Sequence, residues 1–96
     1  MRERDVEEIL VRAVKDHGGL CLKWVSPGFD GVPDRIVLLP GGRVGFVEVK
    51  APGERPRPLQ MARMRMLREL GFLVFVVDNP ELIQKVIDEI SGIDES

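Results

Sequence analysis

Between residues 3 and 17, Val6, Ile9, Leu10, Ala13 and Val14 recur at helical spacing, and Gly18-Gly19 supplies a stop. Leu20 to Val25 has the pattern of a strand. Two glycines and two prolines make a loop of residues 26–33. Arg35 to Leu39 is a second strand, apolar on both faces. Pro40-Gly41-Gly42 turns the chain, and Arg43 to Lys50 returns as a third strand. A loop with three prolines spans 51–58. Leu59 to Leu70 predicts a helix stopped by Gly71, with Leu59, Ala62, Met66 and Leu70 as its core stripe. Phe72 to Val77 is an unbroken apolar strand. Asn79-Pro80 then opens a helix that runs to Ser91. The order is α-β-β-β-α-β-α. Strands apolar on both faces require helices on both sides, so the expected fold is an α/β sandwich with a small mixed sheet.

Composition narrows the chemistry. The 96 residues fit one domain spanning 1–96, with 44% hydrophobic and 31% charged residues as in ordinary globular proteins. No apolar run is long enough to span a bilayer, so no membrane partner is expected. The charged N-terminus does not resemble a secretory signal. A single cysteine, Cys21, excludes an internal disulfide and fits a reducing, cytoplasmic setting. One histidine and one cysteine are too few for a Cys/His zinc site, and His17, placed before Gly18-Gly19, is expected to end a helix rather than to serve as the base of a Ser-His-Asp triad. Carboxylates, lysine, arginine and a hard metal ion remain. Net charge is −2, but it is unevenly placed. Residues 78–96 hold six acids and one base, including Asp94 and Glu95, while 50–68 hold six bases (Lys50, Arg55, Arg57, Arg63, Arg65, Arg68) and one acid. Such a basic stretch is either a solvated helix face or a patch that follows phosphates.

The turn at 40–42 matters most. With a three-residue loop, Leu39 faces Arg43, Val37 faces Gly45 and Asp34 faces Glu48, their Cβ atoms about 4.5–5.5 Å apart on one face. Lys50 is two residues beyond Glu48 and points the same way. With a two-residue loop of Gly41-Gly42, Asp34 and Glu48 fall on opposite faces. In the first register two acids and a lysine converge, a set suited to a divalent cation that stabilises phosphate charge beside a water-orienting amine.

Pro33-Asp34 followed by Glu48-Val49-Lys50 resembles the PD-(D/E)XK nuclease signature. The surrounding Lys23-Trp24-Val25-Ser26-Pro27-Gly28, Gly31-Val32-Pro33-Asp34-Arg35, Leu39-Pro40-Gly41-Gly42, Phe46 to Pro52 and Pro58-Leu59-Gln60 resemble the VRR-NUC (virus-type replication-repair nuclease) family over residues 3 to 79. The resemblance implies a restriction-endonuclease-like core. It also implies that Asp34, Glu48 and the Val49 carbonyl bind Mg²⁺ or Mn²⁺, that Lys50 activates water, and that Gln60 lies near the scissile phosphate. A first-helix glutamate approaches the metal in that family. Glu3 and Glu7 both lie on the apolar side here, and Glu7, deeper in the helix, is the candidate. Lys23, Arg35, Arg55, Arg57 and Arg63 are candidate DNA contacts.

The implied activity is metal-dependent hydrolysis of a DNA phosphodiester, leaving a 5′-phosphate. A chain of this size has little surface for reading base edges, so selection by DNA shape is expected. Small members of the family resemble homodimers acting on branched DNA such as four-way (Holliday) junctions, in a bacterial or phage-infected cell. The rival readings are a flap, single-strand or nicking nuclease, and a DNA-binding module without catalysis on the same fold.

Overall fold

In the computed structural model, which describes residues 1–93, the chain forms α1 (Glu3–Asp16), β1 (Leu20–Lys23), β2 (Arg35–Leu39), β3 (Arg43–Val49), α2 (Pro58–Glu69), β4 (Leu73–Val77) and α3 (Ile83–Ser91). A single 3₁₀ turn, Pro80–Leu82, precedes α3, with the Asn79 side chain accepting from the Glu81 N–H at 3.0 Å. Asp94 and Glu95 of the acidic tail lie outside the described residues.

The sheet order is β1-β2-β3-β4. The first three strands are antiparallel, and β4 joins parallel to β3 through the α2 crossover. The hairpin takes the three-residue loop: Leu39 pairs with Arg43, Val37 with Gly45 and Arg35 with Val47. Gly41 and Gly42 have φ of 85° and 74°, a conformation that costs other L-residues about 1–2 kcal/mol each.

One face of the sheet is sealed by α1 and α3. Val6, Leu10 and Val14 of α1 and Ile83, Val86, Ile87 and Ile90 of α3 pack on Val37, Leu39, Val47, Val49 and Val77. Gly45 allows this approach, since a Cβ there would lie 2.6 Å from Ile90 Cγ1. The other face carries a smaller cluster of Phe46, Met64 and Val74, with Trp24, Ile36, Leu67 and Val76 against it. Trp24, Phe46 and Phe72 form an aromatic row, with centroids 4.9 and 5.5 Å apart.

Two local expectations are revised. The strand predicted to Val25 ends at Lys23. The buried residues of α2 are Gln60 and Met64, while Leu59, Met66 and Leu70 are exposed. Apolar residues lie all around this helix, so periodicity selects no face. Its orientation is set by tertiary contacts: the loop before β2 abuts Leu59 and Arg63 at Gly31.

Candidate active site

The hairpin register fixes the geometry. One step beyond Arg35–Val47, Asp34 falls opposite Glu48, and Asp34 Oδ2 accepts the Val49 N–H at 2.9 Å. Alternation puts Glu48 on the α2 side with Phe46, between β2 and β4. Its carboxylate is fully buried. Lys50 Nζ stands 2.9 Å from Glu48 Oε2, and this ion pair is the contact that compensates the buried carboxylate. Burial raises the Glu48 pKa above the usual carboxylate range and neighbouring Asp34 adds to this, while Lys50 opposes it.

The main chain adds one more acceptor. The Val49 N–H points toward β2, and so does its carbonyl, since both groups of a strand residue face the same neighbour. Continuing the register sets Val49 opposite Pro33, whose nitrogen has no hydrogen. The Val49 carbonyl therefore has no ladder donor from that strand. Two carboxylates and one carbonyl, all oxygen and partly unsatisfied, suit a hard divalent cation. Burying Glu48 with a single counter-ion is otherwise costly, because the attraction of a buried pair repays its desolvation only when further partners satisfy the remaining lone pairs.

The other candidates are placed as follows. Gln60 is buried in the first turn of α2, where its Oε1 accepts the Arg57 N–H at 2.9 Å. Its carboxamide nitrogen makes no hydrogen bond among the described residues. Glu7 accepts from Arg35 Nε at 2.8 Å, on the α1 side of the sheet. Among the described residues, no third acid, histidine or cysteine joins Asp34 and Glu48. The Arg35 guanidinium is spent on Glu7 and on the Cys21 carbonyl at 3.2 Å. Arg63 donates from Nε to the Asp30 carbonyl at 2.7 Å and lies 3.9 Å over the Phe29 ring, clipping the loop that leads to Asp34. Lys23, Arg55 and Arg57 are exposed.

Sequence reasoning missed this clip and the ion pair of Arg35. Neither leaves a local signal, because their partners are 33 and 28 residues away. The Pro33 effect was legible in principle, once the hairpin register was laid against the proline.

This fold and site define a nuclease domain. Structurally the chain matches a solved structure titled VRR_NUC domain, with a TM-score of 0.83 and 33% identity over 90% of this chain and 94% of that one. The sequence profile of the VRR-NUC domain matches residues 2–79, and the chain belongs to that family. It is also 49% identical over 82 residues to a protein named "Putative nuclease p44" from Acyrthosiphon pisum secondary endosymbiont phage 1, covering 85% of this chain and 88% of that protein.

Proposed function

We propose that this nuclease domain is a divalent-cation-dependent DNA endonuclease that selects branched DNA, four-way junctions among its substrates, and acts as a homodimer in the cytoplasm of a bacterial or phage-infected cell. The observation that carries the reading is the buried Glu48 carboxylate, held 2.9 Å from Lys50 Nζ and set opposite Asp34 at the open end of the hairpin. Asp34, Glu48 and the Val49 carbonyl are the groups that would hold Mg²⁺ or Mn²⁺. Such an ion supplies charge stabilisation to the phosphate and acidifies bound water.

The chain's own residues do the rest. Lys50, tethered to Glu48, orients the attacking water. The water oxygen bonds to phosphorus and releases its proton to solvent, the bond to the 3′ oxygen breaks, and that oxygen takes up a proton from solvent, leaving a 3′-hydroxyl and a 5′-phosphate. Gln60 offers its free amide nitrogen from the first turn of α2. Arg55, Arg57 and Lys23 are exposed and available to phosphates. Arg35 and Arg63 support the frame, and Glu7 acts through Arg35.

The dimer reading is supported by apolar surface that α2 leaves uncovered. Leu20, Leu22, Val44 and Phe72 are each more than a third exposed on that side of the sheet. A second copy would cover them and present two sites to two strands.

The test measures melting and cleavage together. Mg²⁺ or Mn²⁺ at about a hundred times its dissociation constant should stabilise the protein by about 2.7 kcal/mol. Asp34→Asn should abolish that shift and cut cleavage of a four-way junction at least about a thousandfold, the scale of several kcal/mol of lost charge stabilisation. Undiminished cleavage by Asp34→Asn, or by wild type stripped of divalent ions, would overturn the reading. Flap, nicked and linear duplexes cut alongside the junction decide the shape preference, and light scattering decides the dimer.

A further inference from the structure

A groove of about 510 Å³ opens on the α2 side of the sheet, between residues 54–56, α2 and the outer strand β4. Met61, Met64, Arg65 and Arg68 line it from one side of α2, as their spacing requires. Buried Met64 and half-buried Val76 form its floor, and exposed Met61 stands at its rim. Val76 is the cross-strand partner of Glu48, and adjoining strands lie about 4.8 Å apart. The groove therefore begins one strand away from the buried carboxylate.

Its chemistry has three parts. Arg55 and Arg65 form no salt bridge among the described residues, and Arg68 donates to the Val74 carbonyl at 2.9 Å. Free guanidiniums match phosphodiester oxygens. The two thioethers and Val76 make a soft apolar surface suited to an aromatic ring. Glu54 and Asp78, also in the wall, accept hydrogen bonds only. They repel a second phosphate and match amine hydrogens on the edge of a base. The pairing hydrogens of that edge are fully free only where the base is unpaired.

We infer that this groove receives one unpaired nucleotide of the DNA strand, with its base on Met61, Met64 and Val76, its phosphates at Arg55 and Arg65, and an amine-bearing edge at Asp78. The inference rests on the nuclease reading of the Asp34–Glu48–Lys50 site and deepens it. A branch or flap, which frays bases beside the cleavage point, would then be preferred to continuous duplex.

The test is anisotropy of fluorescein-labelled DNA on the full chain carrying Asp34→Asn, without divalent ions, so that binding is read apart from cleavage. The probes are single-stranded oligodeoxycytidylate and oligothymidylate of about eight nucleotides, and a duplex of mixed sequence. Deoxycytidylate should bind more tightly than thymidylate, whose base edge offers no amine. Met61→Ala should weaken deoxycytidylate binding about three- to tenfold and leave the duplex within about twofold. Asp78→Ala, which removes the acceptor, should erase the preference between the two single strands. Equal losses on duplex and single strand, no loss on either, or no preference for deoxycytidylate would overturn the inference. Failure of the wild type to cut any DNA with Mg²⁺ would instead overturn the nuclease reading, and would leave these binding results standing.

Discussion

The face of the sheet beneath α1 and α3 is packed with valine, leucine and isoleucine, with no charged side chain buried among them and the Glu7–Arg35 pair at its margin. The face beneath α2 holds a thinner cluster, an aromatic row, exposed leucines, and the buried Glu48. In a chain this short, one face supplies most of the apolar burial and the other gives up packing to hold polar chemistry. Stability and activity should therefore respond to mutation separately, and in one case with opposite sign.

The hardest way to break that contrast is on the packed face. Leu10→Ala should cost about 2–5 kcal/mol, and at about 4–8 °C per kcal/mol it should lower Tm by more than about 8 °C. Cleavage in the cold should survive. If calorimetry found Leu10→Ala harmless, the division of labour between the faces would be wrong.

Glu48→Gln should do the reverse. It removes a carboxylate whose charged form is disfavoured by burial more than it is supported by Lys50, so Tm without metal should rise rather than fall, while cleavage is lost. The pH dependence carries the same sign. Because the folded pKa is raised above its ordinary value near 4.5, the unfolded chain releases this proton first as pH rises. The contribution of Glu48 is fully present below that value and is lost as pH climbs through the folded pKa. Melting curves of wild type and Glu48→Gln should diverge as pH increases over that range and stay parallel at lower pH.

These contrasts differ in how far they could be seen from residues alone. The strands, their succession along the chain and the hairpin were legible, because Pro40-Gly41-Gly42 is a short, strongly marked turn, but that turn admits two registers. The Asp34–Glu48–Lys50 set followed from only one of them, the one that the resemblance to the nuclease signature favoured. The orientation of α2 was not legible, since Leu59, Met61, Met64, Met66 and Leu70 spread apolar surface around the helix and the choice falls to the Gly31 contact. The fates of Arg35 and Arg63 were hidden for a related reason. A guanidinium reads as available for phosphate until folding brings Glu7 or the Asp30 carbonyl to it.

Smaller effects sharpen the boundary between the faces. Arg63→Ala removes one hydrogen bond to Asp30 and the stacking over Phe29, worth together about 1–2 kcal/mol. It should loosen the loop ahead of Asp34, raising KM for DNA more than it lowers kcat, as read by steady-state kinetics. On the packed side, burial pushes the Cys21 thiol up to about 11, with Arg35 opposing and Glu7 adding. Alkylation at pH 8 should run about a hundredfold slower than for a thiol at its ordinary value, because only the thiolate reacts. Denaturant should abolish the difference.

The tight turn at 40–42 has a consequence for how such a chain can change over time. It sits at the far end of the hairpin, roughly 16–20 Å from the acids at about 3.3 Å per residue. Yet losing a single codon there would turn over every side chain of the returning strand and part the acids while leaving both of them in the gene. Such a lineage would keep all the letters of its signature and lose the reaction, whereas the tip itself, open to solvent, can trade its proline freely.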